Sequence, residues 1–284
     1  MVVGIPIAVF VIFLKAPESP AFLVKMGKIE EATLTIARLR GLKVNDKTVQ
    51  SEIDAIKSAD EYFKSLPKIS FVMILKNKPW RRGFLIMLMV TFAHGHNGTF
   101  AIVSHASSLL ASSGLTLDPD LQSLSIPIFT TVGSFVAVGC MDKIGRKVLL
   151  SITHILIAIS LACLASTQLI QRLGGSTPGW LPVLAMAMAL FAQGAGVSPV
   201  PYVVMLEIFN FQIRGKLIGI LVLNILFTNF AQLLSLEAIT TYFGAYTAFY
   251  WFAAVNVFGA TVVIFLMPET RGKRIEQVEN ELAR

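Results

Sequence analysis

Six long stretches of this chain carry no charged side chain: 83–117, 121–141, 148–171, 173–206, 217–236 and 238–268. Each has room for the roughly 20 apolar residues that carry a helix across a bilayer. In hydrocarbon a helix satisfies its own backbone amides, which an open strand cannot do. The charges between these stretches are one-sided. Of the 24 Lys and Arg residues, 23 fall in four segments: fourteen from Lys15 to Arg82, three from Lys143 to Lys147, Arg214 with Lys216, and four from Arg271 onward. Only Arg172 stands apart. Basic residues collect on the cytoplasmic side of membrane proteins. The sequence therefore predicts an all-α, multi-pass membrane protein with spans at 83–106, 121–141, 148–168, 181–206, 217–236 and 246–267, and with its long first loop and C-terminus cytoplasmic.

Composition closes the other routes. With 55% hydrophobic and 14% charged residues, a chain of this size has too little polar surface for a soluble globule. The net charge of +7 is a topology signal. Nucleic acid is excluded as a partner because the basic residues border spans and, in the first loop, alternate with acids. Cys140 and Cys163 both lie in apolar runs, which gives neither a disulfide framework nor a zinc spacing. His94 and His96 are two apart, so on a helix they point in different directions, and no carboxylate or thiol accompanies them. No metal or cofactor is expected. The sequon at Asn97 lies inside a span and should be unmodified.

Four segments follow from these patterns. Residues 1–16 read as part of a transmembrane helix, since Val2 to Leu14 is apolar but only about thirteen residues long, too short to cross alone. Residues 17–80 form a polar linker with two amphipathic helices. Ile29, Ala32, Ile36 and Leu39 share one face, and Val49, Ile53, Ile56 and Phe63 another. Gly41 is placed to end the first helix, and Asn45 or Asp46 to cap the second. Neither helix is expected to bury its face alone, so both should lie against the inner ends of the spans. Residues 81–268 hold the six spans and 269–284 a cytoplasmic tail.

Several motifs resemble those of sugar porters in the major facilitator superfamily. Pro17-Glu18-Ser19-Pro20 is similar to the PESP motif after their sixth helix. The run from Asp142 through Gly145, Arg146 and Lys147 resembles their D-R-x-G-R-K loop, and the run from Pro268 through Glu269 and Arg271 their PETKG motif. Pro199, Pro201 and Tyr202, followed by Glu207, Phe209, Arg214 and Gly215, resemble the helix 10 run of G-P-x-P-W, E-x-F and R-G. The resemblance implies the C-terminal half of a twelve-helix porter, beginning inside helix 6, whose missing N-terminal six-helix half would complete a central site. It also implies a cytoplasmic gate made of Glu18, Asp142, Gly145, Arg146, Lys147, Glu207, Arg214, Glu269 and Arg271.

Polar residues inside the spans mark a cavity or hold helices together. His94, Asn97, His105 and Ser108 form one stripe, with Gly95 and Gly98 loosening the helix beside them. Asn224, Thr228, Gln232 and Ser235 form another, with Asn229 adjacent. The candidate substrate residues are His94, Asn97, Thr130, Gln193, Tyr202, Asn224 and Asn229. Where the family carries Gln-Gln and Asn on helix 7, this chain has His94, Gly95 and Phe100. Where it carries an acid before the prolines and a Trp after them, this chain has Gly194 and Tyr202. Gly194, Gly196, Pro199 and Pro201 are expected to break or kink their helix and form a hinge, because proline removes an amide donor. The function these features imply is facilitative transport of a sugar or polyol across the plasma membrane by alternating access, with no catalysis. The alternative is a truncated, non-transporting partner of full-length porters.

Overall fold

The computed structural model describes residues 17–65, 69–112 and 119–283, and among these no strand occurs. The segment 1–16, read from sequence as part of a transmembrane helix, lies outside the described residues. The chain divides into two compact units, Met1–Lys68 and Ile69–Arg284.

The smaller unit holds α1 (Pro20–Lys25), α2 (Ile29–Arg40) and α3 (Lys47–Ser65). Gly41 ends α2 in the left-handed region at φ +67°, as its position predicts. Asp46 Oδ1 accepts the Thr48 amide at 2.8 Å, which caps α3 and holds the Asp46 carboxyl below the usual carboxylate range. Neither helix buries its face alone, and the partners that the sequence reading did not name are each other and α1. Ala32, Ile36 and Ala37 of α2 pack with Val49 and Ile53 of α3 and with Leu23 and Val24 of α1. The third partner is the short helix α1, which six residues are too few to announce by periodicity. Leu39, assigned to the buried face, is 63% exposed.

The larger unit contains α4 (Phe71–Lys76), α5 (Lys78–Gly95), α6 (Thr99–Ser112), α7 (Pro119–Ile144), α8 (Arg146–Arg172) and α9 (Trp180–Ala192). A π-helical turn (Gln193–Val197) follows, then α10 (Val200–Ile208), α11 (Phe211–Phe243), α12 (Ala245–Phe265) and α13 (Ile275–Ala283). Among the described residues, five stretches are long and apolar enough to cross a membrane: Lys78–Ser104, Arg146–Arg172, Trp180–Ile208, Phe211–Phe243 and Ala245–Phe265. The predicted span 121–141 falls within the 26 residues of α7, about 39 Å of helix. Helix α8 packs most extensively on α12 and next on α9, while α11 lies on α5 and the π turn on α7.

Three spans depart from simple rods. The first breaks between Gly95 and Thr99, where Gly98 takes φ +84°. The fourth loses α-helical register at Gln193–Val197, where the Ser198 amide reaches back five residues to the Gln193 carbonyl at 2.8 Å. The fifth is longer than its apolar run, because Arg214, Lys216 and Glu237 continue the helix instead of ending it. The C-terminal tail is also not featureless. Val278 and Leu282 of α13 are buried, and Leu282 lies over Gly83 of α5.

Two glycines set how closely α7 and the π turn approach. A Cβ on Gly194 would run into the Thr130 backbone, and one on Gly133 into the Phe191 carbonyl. Gly194→Ala should therefore destabilise the protein by about 1–3 kcal/mol through overpacking. Gly139→Ala in α7, which meets open space, should stabilise it by up to about 1 kcal/mol through helix propensity. Thermal unfolding in detergent, followed by tryptophan fluorescence, reads both signs.

Candidate functional site

The two interrupted helices face each other across a cavity of about 470 Å³. Interrupting a helix frees carbonyls, and in hydrocarbon each needs a donor. Pro201 has no amide to offer Val197, the residue four before it. His94 Nδ1 supplies the donor instead, 2.6 Å from the Val197 carbonyl. A carbonyl only accepts, so this His94 carries its proton on Nδ1 and keeps Nε2 as an acceptor.

At the other break, Asn97 Nδ2 donates to the His94 carbonyl at 2.7 Å and to Gln193 Oε1 at 3.0 Å. Its Oδ1 accepts from the Thr99 amide at 2.9 Å and the Thr99 hydroxyl at 2.6 Å, which starts α6. All four hydrogen-bonding positions of the Asn97 amide are thus engaged by protein. The breaks are thereby cross-tied, α5–α6 to α9–α10, by His94 and by Asn97.

Of the seven candidate substrate residues, His94, Asn97, Thr130, Gln193 and Asn229 line this cavity. The other two stand elsewhere. Tyr202 packs edge-on against the His94 ring at 5.8 Å between centroids. Asn224 Nδ2 donates to the Leu88 carbonyl at 3.2 Å and Thr91 Oγ1 at 2.9 Å, joining α11 to α5. Ser235 likewise meets His96 Nε2 at 3.4 Å, so much of the α11 stripe holds helices together. The side chains of His105 and Ser108 lie outside those described. The cavity also includes Thr99, Ser198 and Gln232, with Phe100, Val103, Leu190 and Leu233 as its apolar wall. Of these, Gln232 was legible in the α11 stripe and Phe100 by standing where the family carries its helix 7 Asn. Ser198 and Thr99 carry no signal beyond standing beside Pro199 and Asn97.

Among the described residues lining the cavity, none is an acid, a lysine or an arginine. Gln232 Nε2 is buried without a protein acceptor among the described residues. A site of this kind offers neutral donors and acceptors beside an aromatic and aliphatic wall. The described residues include no group of three or more His, Cys, Asp or Glu placed to hold a metal ion.

The model of the family described as "Sugar (and other) transporter" matches residues 1–282. The chain belongs to that family. This sugar-transporter chain is 27% identical over 280 residues to the facilitated trehalose transporter Tret1 of Apis mellifera ligustica, covering 98% of itself and 55% of that relative. It is 26% identical to the Tret1 of Anopheles gambiae, of which it covers 35%. It thus spans about half the length, or less, of these curated relatives. Its fold is that of the inward-open xylose transporter XylE from E. coli, with a TM-score of 0.75 at 21% identity over 98% of this chain and 55% of that one. The proton:xylose symporter XylE bound to 6-bromo-6-deoxy-D-glucose, a major facilitator superfamily protein, aligns with a TM-score of 0.67 at 22% identity, over 98% of this chain and 57% of that one. The relatives are transporters rather than enzymes.

The family-type charges gather at one end of the sugar-transporter chain's larger unit. Arg146 is 12% exposed and meets Glu207 at 2.9 Å and Asp142 at 2.9 Å, the latter 80% exposed. Glu207 also accepts from the Thr270 hydroxyl at 2.5 Å. Glu269 takes the place of an N-cap side chain that Gly145 lacks. Its carboxylate accepts the amides of Arg146 at 3.0 Å and Lys147 at 3.1 Å, and those of Thr270 and Arg271 at 3.0 Å each. Gly145, at φ +101°, leaves no room for a Cβ beside it. Arg271 bonds to the Lys143 carbonyl. Two of the nine predicted gate residues stand outside the cluster. Arg214 donates to the Phe209 carbonyl at 3.1 Å, and Glu18 belongs to the smaller unit, where it is exposed. Missed by sequence reasoning, Glu279 of α13 accepts from Trp80 Nε1 at 2.9 Å and Asn210 Nδ2 at 3.0 Å. The spacing of Ile275, Val278 and Leu282 was the available signal for that helix.

Arg146→Ala strands the partly buried Glu207 and should cost about 2–3 kcal/mol of stability, whereas Arg214→Ala, which loses one bond to a carbonyl, should cost about 1 kcal/mol. Unfolding midpoints of the two variants in the same detergent give the order, and equal midpoints would count against the cluster.

Proposed function

We propose that this chain is the C-terminal half of a twelve-helix sugar porter, working with an N-terminal six-helix half to move a sugar or polyol down its gradient by alternating access. The observation that carries this reading is the uncharged polar cavity between the two cross-tied helix breaks. An uncharged solute rich in hydroxyl groups finds there the neutral donors and acceptors it needs, including Gln193, Asn229 and Gln232, with Phe100 as an apolar face. A sugar acid or amine would leave its charge unpaired in the same site. Asn97 shapes the wall and His94 presents its remaining acceptor.

In this reading the protein sits in the plasma membrane with its linker, charged cluster and C-terminus cytoplasmic, as the basic-residue bias favours. Residues 1–16 belong to the end of a preceding helix, 17–80 to the linker, 81–268 to the transporting half and 269–284 to its tail. The charged cluster is this half's lip of the cytoplasmic gate. Gly194, Gly196, Pro199 and Pro201 form the hinge, since a π turn and two prolines localise bending. Facilitative transport fits a cavity in which none of the described lining residues is a carboxylate. Glu207 is tied into the charged cluster, and Glu237 lies among Leu233, Leu236 and Thr240 of α11.

The complete protein, this chain joined to its N-terminal six-helix half, should when reconstituted in liposomes take up one or more labelled neutral sugars or polyols saturably. Uptake should be unaffected by a protonophore, and sugar acids should not compete. Gln193→Leu should raise KM about tenfold through loss of a buried hydrogen bond. Folded protein that moves no member of such a panel would overturn the proposal and favour a non-transporting partner of full-length porters.

A further inference from the structure

The break between α5 and α6 has a third tie, which reaches it from behind the cavity. Asn256 of α12 is fully buried and does not line the cavity. Its Nδ2 donates to the Asn97 carbonyl at 2.7 Å and to the Phe252 carbonyl of its own helix at 2.8 Å. Both partners only accept, so the amide has one possible orientation and Oδ1 must face His154, whose Nδ1 lies 3.0 Å away. His154 is therefore the Nδ1–H tautomer, and its Nε2 is buried with no partner among the described residues. Helix α12 is shaped around this contact. One turn before Asn256, the Phe252 ring fills the space that a Cβ on Gly98 would need. Nearly one turn after it, Gly259 admits the His154 ring, which would stand 3.0 Å from a Cβ there.

Packing of α8 against α12 alone gives no reason for such a pair. Two polar side chains and an unpaired ring nitrogen are costly to bury, and a matched apolar pair of similar shape is commonly neutral or better. What the apolar pair could not do is hold the Asn97 carbonyl. Its loss would release the segment whose side chain, on the cavity side, orients Gln193 and starts α6.

We propose that Asn256, oriented by His154, is a positioning residue of the transport site: it pins the α5–α6 break from α12 and thereby sets solute affinity without touching solute. The proposal rests on the sugar-transport reading above for its effect on affinity, and the test separates the two.

The reconstituted protein is compared with Asn256→Leu, His154→Leu and His154→Asn. Two quantities are read: uptake kinetics for whichever labelled sugar the unmodified protein carries, and amide hydrogen exchange at 96–101 against that in α9. Asn256→Leu should raise KM about tenfold and speed exchange at the break by a similar factor, with turnover per folded protein and exchange in α9 little changed. His154→Leu should shift both quantities in the same direction by less. His154→Asn, which places an amide donor where Nδ1 stands, should restore them. Unchanged exchange at 96–101 in Asn256→Leu overturns the proposal. So does a loss of folded protein with KM unchanged in what remains, which marks a merely structural pair. If Asn256→Leu does not fold, the two His154 variants decide by the same criteria. Faster exchange at the break in a protein that carries no sugar overturns the transport reading and leaves the pinning role standing.

Discussion

A carbonyl freed inside hydrocarbon must find a donor, and the architecture of the larger unit turns on where those donors come from. Two spans are interrupted, and neither is repaired wholly from within. The Val197 carbonyl, left by Pro201, is met by His94 from another span. The His94 and Asn97 carbonyls are met by the Asn97 side chain and by Asn256 of α12. Each repair crosses to a neighbouring helix or closes the break locally, so the demand of the backbone also fixes the packing. The cavity lies between the two interruptions because that is where the helices cannot close on one another.

The same demand explains which polar residues remain for a solute. Asn97 stands in the cavity wall with its whole amide engaged by protein. Gln193 gives its Oε1 to Asn97 and keeps its amino group, and Gln232 keeps a buried amino group as well. Polar character in a span is thus divided between keeping the fold and meeting cargo, and helical phase alone does not make the division. Asn224 and Asn229 stand five residues apart on α11, yet one binds α5 and the other lines the cavity.

Much of the fold was legible, for reasons local to the chain. Charge-free runs and one-sided basic segments located the spans. Gly41 and Asp46 marked helix ends, and the Gly-Pro run from Gly194 to Pro201 announced an interrupted helix. The break at Gly95–Gly98 was visible only as loosening, since two glycines in a helix do not say whether it bends or stops. What stayed hidden depends on distant pairing. His94 and Val197 are 103 residues apart and Asn97 and Asn256 are 159 apart, and no periodicity links them. The linker helices were drawn correctly but denied their own core, because α1 is too short to show a pattern. The seven residues proposed for substrate were chosen by type and phase, and the two that stand outside the cavity were drawn into contacts with neighbouring helices.

Glu269 gives the charged end of the unit a mechanical character. Its carboxylate serves as the missing cap of α8 although it belongs to the segment after α12, and Arg146 in the same turn holds Glu207 at the end of α10. Prising α8 from α12 would uncap the one and strand the charge of the other, so three helix ends share a single joint. A displacement of any one of these helix ends is therefore felt by the other two. The end of the larger unit that holds the Arg146 ion pairs is built as one piece.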